Sequence, residues 1–159
     1  MSDVRVLVDK VLFDPKVQAS VMLLKEKDGK RILPVWIGQS EALSIAMAME
    51  DVSLTRPMTH DLMQSILKSL GASITFVRIH SLDEGTFYAI LRLSMGDETV
   101  DIDSRPSDAV ALAIRMKSPV YVSENVLSES INIDLGTFDS IDEDLLSELP
   151  DDVFGKYKM

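Results

Sequence analysis

Apolar positions recur along the chain with two periods, and the switch between them marks the elements. Asp3 to Phe13 is rich in Val and Leu and predicts a strand, broken by Asp14-Pro15. Val21, Met22, Leu23 and Leu24 centre a second strand over 18–26. Asp28-Gly29 supplies a tight turn needing positive φ, and Ile32 to Ile37 return as a third strand. Pro34 cannot donate to a ladder, so this strand is expected at a sheet edge or with a bulge. From Gly38 the period changes. Ala42, Leu43, Ile45, Ala46, Met47 and Met49 predict a helix over 39–50, apolar almost all round and so covered on several sides. Ser40 is its expected N-cap, with Glu41 in the first turn.

A second helix is expected over 59–70. Thr59 caps it, Leu62, Met63, Ile66, Leu67 and Leu70 form one face, and Gly71 ends it. Three strands follow, Ser73 to Ser81, Thr86 to Met95 and Glu98 to Asp103, turning at Asp83-Glu84-Gly85 and Gly96-Asp97 as an antiparallel meander. Pro106 suits the first turn of a third helix that runs to Met116. Pro119 to Val122 reads as a short strand and 123–127 as one helical turn. Ser140 to Glu143 has capping-box spacing and predicts a short helix through Leu149. The order β β β α α β β β α β gives an α+β fold, a largely antiparallel sheet with three main helices packed on it. The expected division is a domain over 1–128 and an acidic C-terminal segment over 129–159.

Charge sharpens that division. The net charge is −10, yet residues 1–120 carry 16 acids against 14 bases, whereas 121–159 carry 10 acids against 2. Neither part has the basic footprint of a duplex-DNA binder. The absence of cysteine removes disulfides, thiolate metal sites and cysteine nucleophiles. No glycine-rich phosphate loop of either common type occurs. No apolar run approaches the roughly 20 residues of a membrane span, and the first residues show no basic-then-apolar leader. The expectation is a cytoplasmic soluble protein without membrane contact.

The candidate chemistry lies where polar residues interrupt this pattern. Arg56-Pro57-Met58-Thr59-His60-Asp61 opens the second helix and Arg105-Pro106-Ser107-Asp108 the third. The echo either records a duplicated strand-helix unit or is shared helix-start grammar, with proline early and an acid at the positive end of the dipole. Asp101 and Asp103 alternate with Val100 and Ile102, which are expected to face inward. That places the two carboxylates on one outer face roughly 7 Å apart. They either hold a hard divalent cation or are solvated positions on an open face. His60 either works as a proton carrier or hydrogen-bonds locally. Trp36 is expected as a core or interface anchor.

Three blocks together resemble a known family. Leu33-Pro34-Val35-Trp36-Ile37-Gly38 followed by Glu41-Ala42, then Arg56 to Leu62, then Asp103 to Ala113 are similar to the signatures of the bifunctional nuclease domain family. The chain resembles a small bacterial member over about residues 4–128. The resemblance implies a compact α+β domain that tends to self-associate and hydrolyses RNA and DNA phosphodiesters, an activity described for plant members. It brings no catalytic residues with it, so the site is inferred from chemistry at the motif positions. Asp101 and Asp103 would hold Mg²⁺ or Mn²⁺, and Asp108 or Asp61 would support the shell. His60 would orient or deprotonate water. Arg56 and Arg105 would stabilise phosphate charge, with Glu41 orienting one of them. The substrate would be RNA or single-stranded DNA. The competing reading is a non-catalytic oligomeric binding or regulatory module in which these arginines and acids lock helix starts to the sheet. A homodimer is expected, because the apolar helix over 39–50 needs cover from the sheet or from a second subunit.

Overall fold

The computed structural model describes residues 2–130. The chain runs β1 (Asp3–Asp14), β2 (Ala19–Glu26), β3 (Ile32–Ile37), α1 (Gln39–Met49), α2 (Thr59–Ser69), β4 (Ser73–Asp83), β5 (Thr86–Met95), β6 (Glu98–Ser104), α3 (Pro106–Met116), β7 (Val120–Ser123) and α4 (Glu124–Ser130). The α+β class and the element order match the sequence pattern, with the last turn extended into α4. The helix expected over 140–149 lies outside the described residues.

The strands form one sheet in the order β3-β2-β1-β7-β4-β5-β6. Pro34 sits on the edge strand β3, where its missing N–H costs least. β7 pairs antiparallel with β1 and parallel with β4, so β1 and β4 run in opposite directions on either side of it. Two antiparallel meanders, β1-β2-β3 and β4-β5-β6, are thus set back to back, each followed by a buried helix.

Each meander leads into its helix in a comparable way. The N-caps are Gly38 for α1 and Arg105 for α3. Aligned on these caps, Gln39-Ser40-Glu41-Ala42 stands opposite Pro106-Ser107-Asp108-Ala109. A meander followed by a buried helix thus occurs twice, with α1 and with α3. The echo between residues 56–61 and 105–108 is out of step with it. Arg105 is an N-cap with Pro106 at the first helical position, whereas Met58 caps α2 and Pro57 lies outside the helix. Two expected caps are corrected by the same geometry: Ser40 and Thr59 are already inside their helices. At α2 the Asp61 carboxylate accepts from the Met58 N–H at 3.0 Å, which relieves the helix start from within.

The main core lies between the helices and one face of the sheet, and includes Val77, Ile79, Ala89, Leu24 and Leu33. α1 buries Ala42, Leu43, Ser44, Ile45, Ala46 and Met47 within the chain itself, against the sheet and α3. The need for a second subunit to cover this helix is thereby removed. The apolar face left open is on α2 instead. His60 is its one buried residue, while Leu62, Met63, Ile66 and Leu70 are exposed. The β6 side chains expected to face inward, Val100 and Ile102, are also exposed, because α2 stands off this edge of the sheet.

Candidate active site

The starts of α1, α2 and α3 converge, and a chain of polar contacts links them. Ser44, in the second turn of α1, places Oγ 2.6 Å from His60 Nδ1. On the other side of the ring, His60 Nε2 lies 2.9 Å from Asp108 Oδ1 in the first turn of α3. Arg105 donates from Nε to Asp108 Oδ2 at 2.8 Å and from Nη2 to Glu41 Oε1 at 2.9 Å. Burial of Asp108 favours its neutral form, but the hydrogen bonds from Arg105 and His60 outweigh this and hold its carboxyl below the usual range. An ionised Asp108 only accepts, so Nε2 carries the ring hydrogen toward it. In the neutral ring Nδ1 then accepts from the Ser44 hydroxyl.

This is not a serine-nucleophile arrangement, in spite of its membership. Ser44 and His60 are buried at the inner end, whereas Arg105 is the open end, with 64 % of its side chain exposed. Both His60 nitrogens are engaged and the ring does not face solvent. The imidazole therefore orients Asp108, and Asp108 orients the guanidinium. Asp108 spends both oxygens on protein donors. Glu41 spends Oε1 on Arg105 and lays Oε2 over Gly38, where any Cβ would collide with it. Glycine at 38 thus lets the Glu41 carboxylate lie against the start of α1, where α3 carries Arg105. Gly38→Ala should displace Glu41 and weaken its pairing with Arg105. Arg105 guanidinium resonances unchanged by the substitution in a nitrogen-15 NMR spectrum would count against that.

A second linkage lies beside the first. Arg115, in the last turn of α3, donates from Nε to Asp61 Oδ1 at 2.8 Å, from Nη1 to the Ala111 carbonyl at 3.0 Å and from Nη2 to the Ser44 carbonyl at 3.2 Å. Burial would raise the Asp61 pKa, but the Arg115 and Met58 hydrogen bonds hold it lower. Both depressed carboxylates, Asp61 and Asp108, release stability in one direction. Each contributes fully above its unfolded pKa of ~4, and loses that contribution as pH falls through its lower folded value. The stability gap between wild type and Asp61→Asn or Asp108→Asn should therefore be full at pH 7 and close below about pH 4. Calorimetric melts across this window measure it, and a gap that persists at the acid end would refute it.

The remaining candidates are placed elsewhere. Asp101 forms a two-point pair with Arg92, with both contacts at 2.7 Å, and this holds its carboxyl low. Arg92 also lies over the Phe76 ring, 4.8 Å from its centroid. In register, Asp101 opposes Arg92 and Asp103 opposes Ile90, the strand positions that alternate away from the helix-facing Ala89 and Leu91. Asp103 forms no ion pair among the described residues, and neither does the exposed Arg56. Among the described residues no three His, Cys, Asp or Glu side chains are grouped to hold a metal. The Asp101–Asp103 pair, with Asp101 committed to a guanidinium, does not fit a Mg²⁺ or Mn²⁺ site as it stands. Glu41, His60, Arg105 and Asp108 are brought together, and Asp61 adjoins them through Arg115. Ser44 and Arg115 were not among the sequence candidates. The one hydroxyl inside the apolar run 42–47 was the available signal for Ser44.

The family model described as "Bifunctional nuclease domain" matches residues 22–134. An "Uncharacterized protein" of Mycobacterium tuberculosis (strain ATCC 25618 / H37Rv) is 41 % identical over 158 residues, 99 % of this chain and 92 % of that protein. "Bifunctional nuclease 2" of Arabidopsis thaliana is 30 % identical over 109 residues, 66 % of this chain and 33 % of the plant protein. "Bifunctional nuclease 1" of Oryza sativa subsp. japonica is 26 % identical over 109 residues, again 66 % and 33 %. The chain spans about a third of the plant proteins' length. No helix among the described residues is long and apolar enough to cross a membrane.

Proposed function

The chain belongs to the bifunctional nuclease domain family, and on that premise we propose that it hydrolyses phosphodiester bonds of RNA and DNA at the Arg105 cluster. One observation carries the proposal: an exposed guanidinium, fixed on two sides, stands where three helices begin. Its Nη1 makes no hydrogen bond among the described residues and is the donor left for a phosphate oxygen. The positive ends of the helix dipoles favour an anion at the same place. Glu41 Oε2, the carboxylate oxygen not bonded to Arg105, would accept the proton of an attacking water, while the P–O ester bond breaks and its leaving oxygen takes a proton from solvent. Asp108, His60 and Ser44 hold the guanidinium in place.

Cleavage of fluorescent RNA and single-stranded DNA, with Mg²⁺, with Mn²⁺ and with chelator, tests the reading. Glu41→Gln should lower the rate roughly 100-fold or more, the range for loss of a general base. The double change Asp101→Asn, Asp103→Asn should leave it unaltered. Wild-type protein inert in all three conditions would overturn the proposal.

The second reading, a non-catalytic binding or regulatory module, is favoured by a specific observation. Glu41 and Asp108 more than cancel the charge of Arg105, as expected of a cluster built to join helix starts. It predicts that Arg105→Ala costs stability rather than activity. Self-association stays with the family proposal. Leu62 and Leu70 on α2 are the apolar positions a second copy would cover. Light scattering at micromolar concentration should give twice the mass of one chain, and a single-chain mass would remove the dimer.

A further inference from the structure

Two separate hollows open on either side of Arg105, and Arg105 is the residue they share. The larger, about 540 Å³, runs between α2 and β5–β6. Met63, Ile66, Leu91 and Ile102 wall it, and Arg105 and Asp108 close one end. The smaller, about 400 Å³, lies between the end of β3 (Trp36 to Gly38), the β4–β5 turn and start of β5 (Gly85 to Phe87), and the start of α3. Its lining includes two aromatic residues, Trp36 and Phe87. Both volumes fall in the ~300–1,000 Å³ range of small-molecule sites.

A single cation between two largely apolar hollows matches a molecule with a flat apolar-faced group, an anion, then a second such group. We propose that the hollows are nucleoside subsites flanking a phosphodiester held at Arg105, so that the substrate unit is an unpaired dinucleotide step. This rests on the phosphodiesterase reading above and adds to it which part of the nucleic acid is bound. A duplex cannot occupy both hollows, because its bases are stacked and paired and must be turned out at a cost before they can enter.

Charge points the same way. Arg105 with Glu41 and Asp108 sums to −1. Arg105 is the one lysine or arginine in the lining of either hollow, so affinity comes from enclosing bases rather than from collecting phosphates. Binding to a single strand should then depend only weakly on salt. The slope of log K against log [salt] should be about −0.7, the value for one phosphate contact. A protein that tracks the backbone over several phosphates would give a slope several times steeper.

The full chain is titrated into a labelled phosphorothioate thymidine octamer, read by anisotropy, beside a phosphorothioate duplex of the same length. The sole tryptophan, Trp36, supplies a second signal through its fluorescence. The octamer should bind with the shallow salt slope and quench Trp36, while the duplex binds at least ten-fold more weakly. Trp36→Ala and Ile66→Glu, one in each hollow and each at a half-exposed position, should each weaken octamer binding roughly ten-fold with melting temperature retained. Equal affinity for duplex and octamer, a steep salt slope, or indifference to either substitution would overturn the subsites. Octamer binding of the expected kind without cleavage of an ordinary phosphodiester by wild type keeps the subsites and removes the nuclease reading. Cleavage that ignores both substitutions and strandedness does the reverse.

Discussion

Replacing Arg115 with alanine should lower the melting temperature by about 8 °C without touching the proposed site directly. The side chain is 7 % exposed and serves Asp61 and two main-chain carbonyls, on α1 and α3. Truncation takes a charged donor from Asp61, which keeps the Met58 N–H, and another from the Ser44 carbonyl. Losing one partner of a buried pair costs about 3–5 kcal/mol. Asp61 is about a third exposed and regains some hydration, which brings the expectation down to ~2–3 kcal/mol. At 2–4 °C per kcal/mol for a chain of this size, that gives the stated shift. Lysine should recover only part of it, since one ammonium cannot span acceptors that the planar fork reaches together. A denaturant-derived loss below ~0.5 kcal/mol would show that the helices are held by packing alone.

Arg105→Ala should give the opposite pattern. This guanidinium also bridges two carboxylates, but most of it is in solvent, and exposed pairs contribute about 0–1 kcal/mol. Stability should therefore barely move. Phosphodiester cleavage should fall roughly 100–1,000-fold, the loss seen when one charge-stabilising donor is removed from a reacting centre. Arg105→Lys should restore little, because Nη1 is positioned only while Nε and Nη2 remain tied. A melting-temperature drop matching that of Arg115→Ala, with no activity to lose, would transfer Arg105 to the structural reading. The two arginines thus separate scaffold from chemistry by measurement.

The elements were legible in the sequence because periodicity reports burial, and burial in this domain is arranged simply. Pro34 marked an edge, Pro106 a helix start, and Gly71 and Gly96 the turns that take positive φ. What misled was α2. Its apolar stripe has the period of a core-facing helix, yet only His60 is buried, because a local pattern cannot tell a packed face from an open groove. The site was legible in its residue types and not in its pairing. Glu41, His60, Arg105 and Asp108 were all visible at helix starts, but contacts across 48 and 64 residues depend on how the meanders are set. The Asp101–Asp103 alternation was read correctly as one face. Its partner, Arg92, sits one strand away in a register no single sequence discloses. Ser44 was hidden by its company, since a hydroxyl between Leu43 and Ile45 looks like a neutral interruption until a histidine is placed over it.

The placement of β7 bears on how the molecule can be made. β1 and β4 do not pair with each other, and four residues near the end of the described chain join them. During synthesis, more than a hundred residues leave the ribosome before that joining strand exists. Until then, two half-sheets each present a long bare edge, the kind of surface that recruits strands from neighbouring molecules. A released chain ending before residue 120 should accordingly need a chaperone that one ending past residue 130 does not.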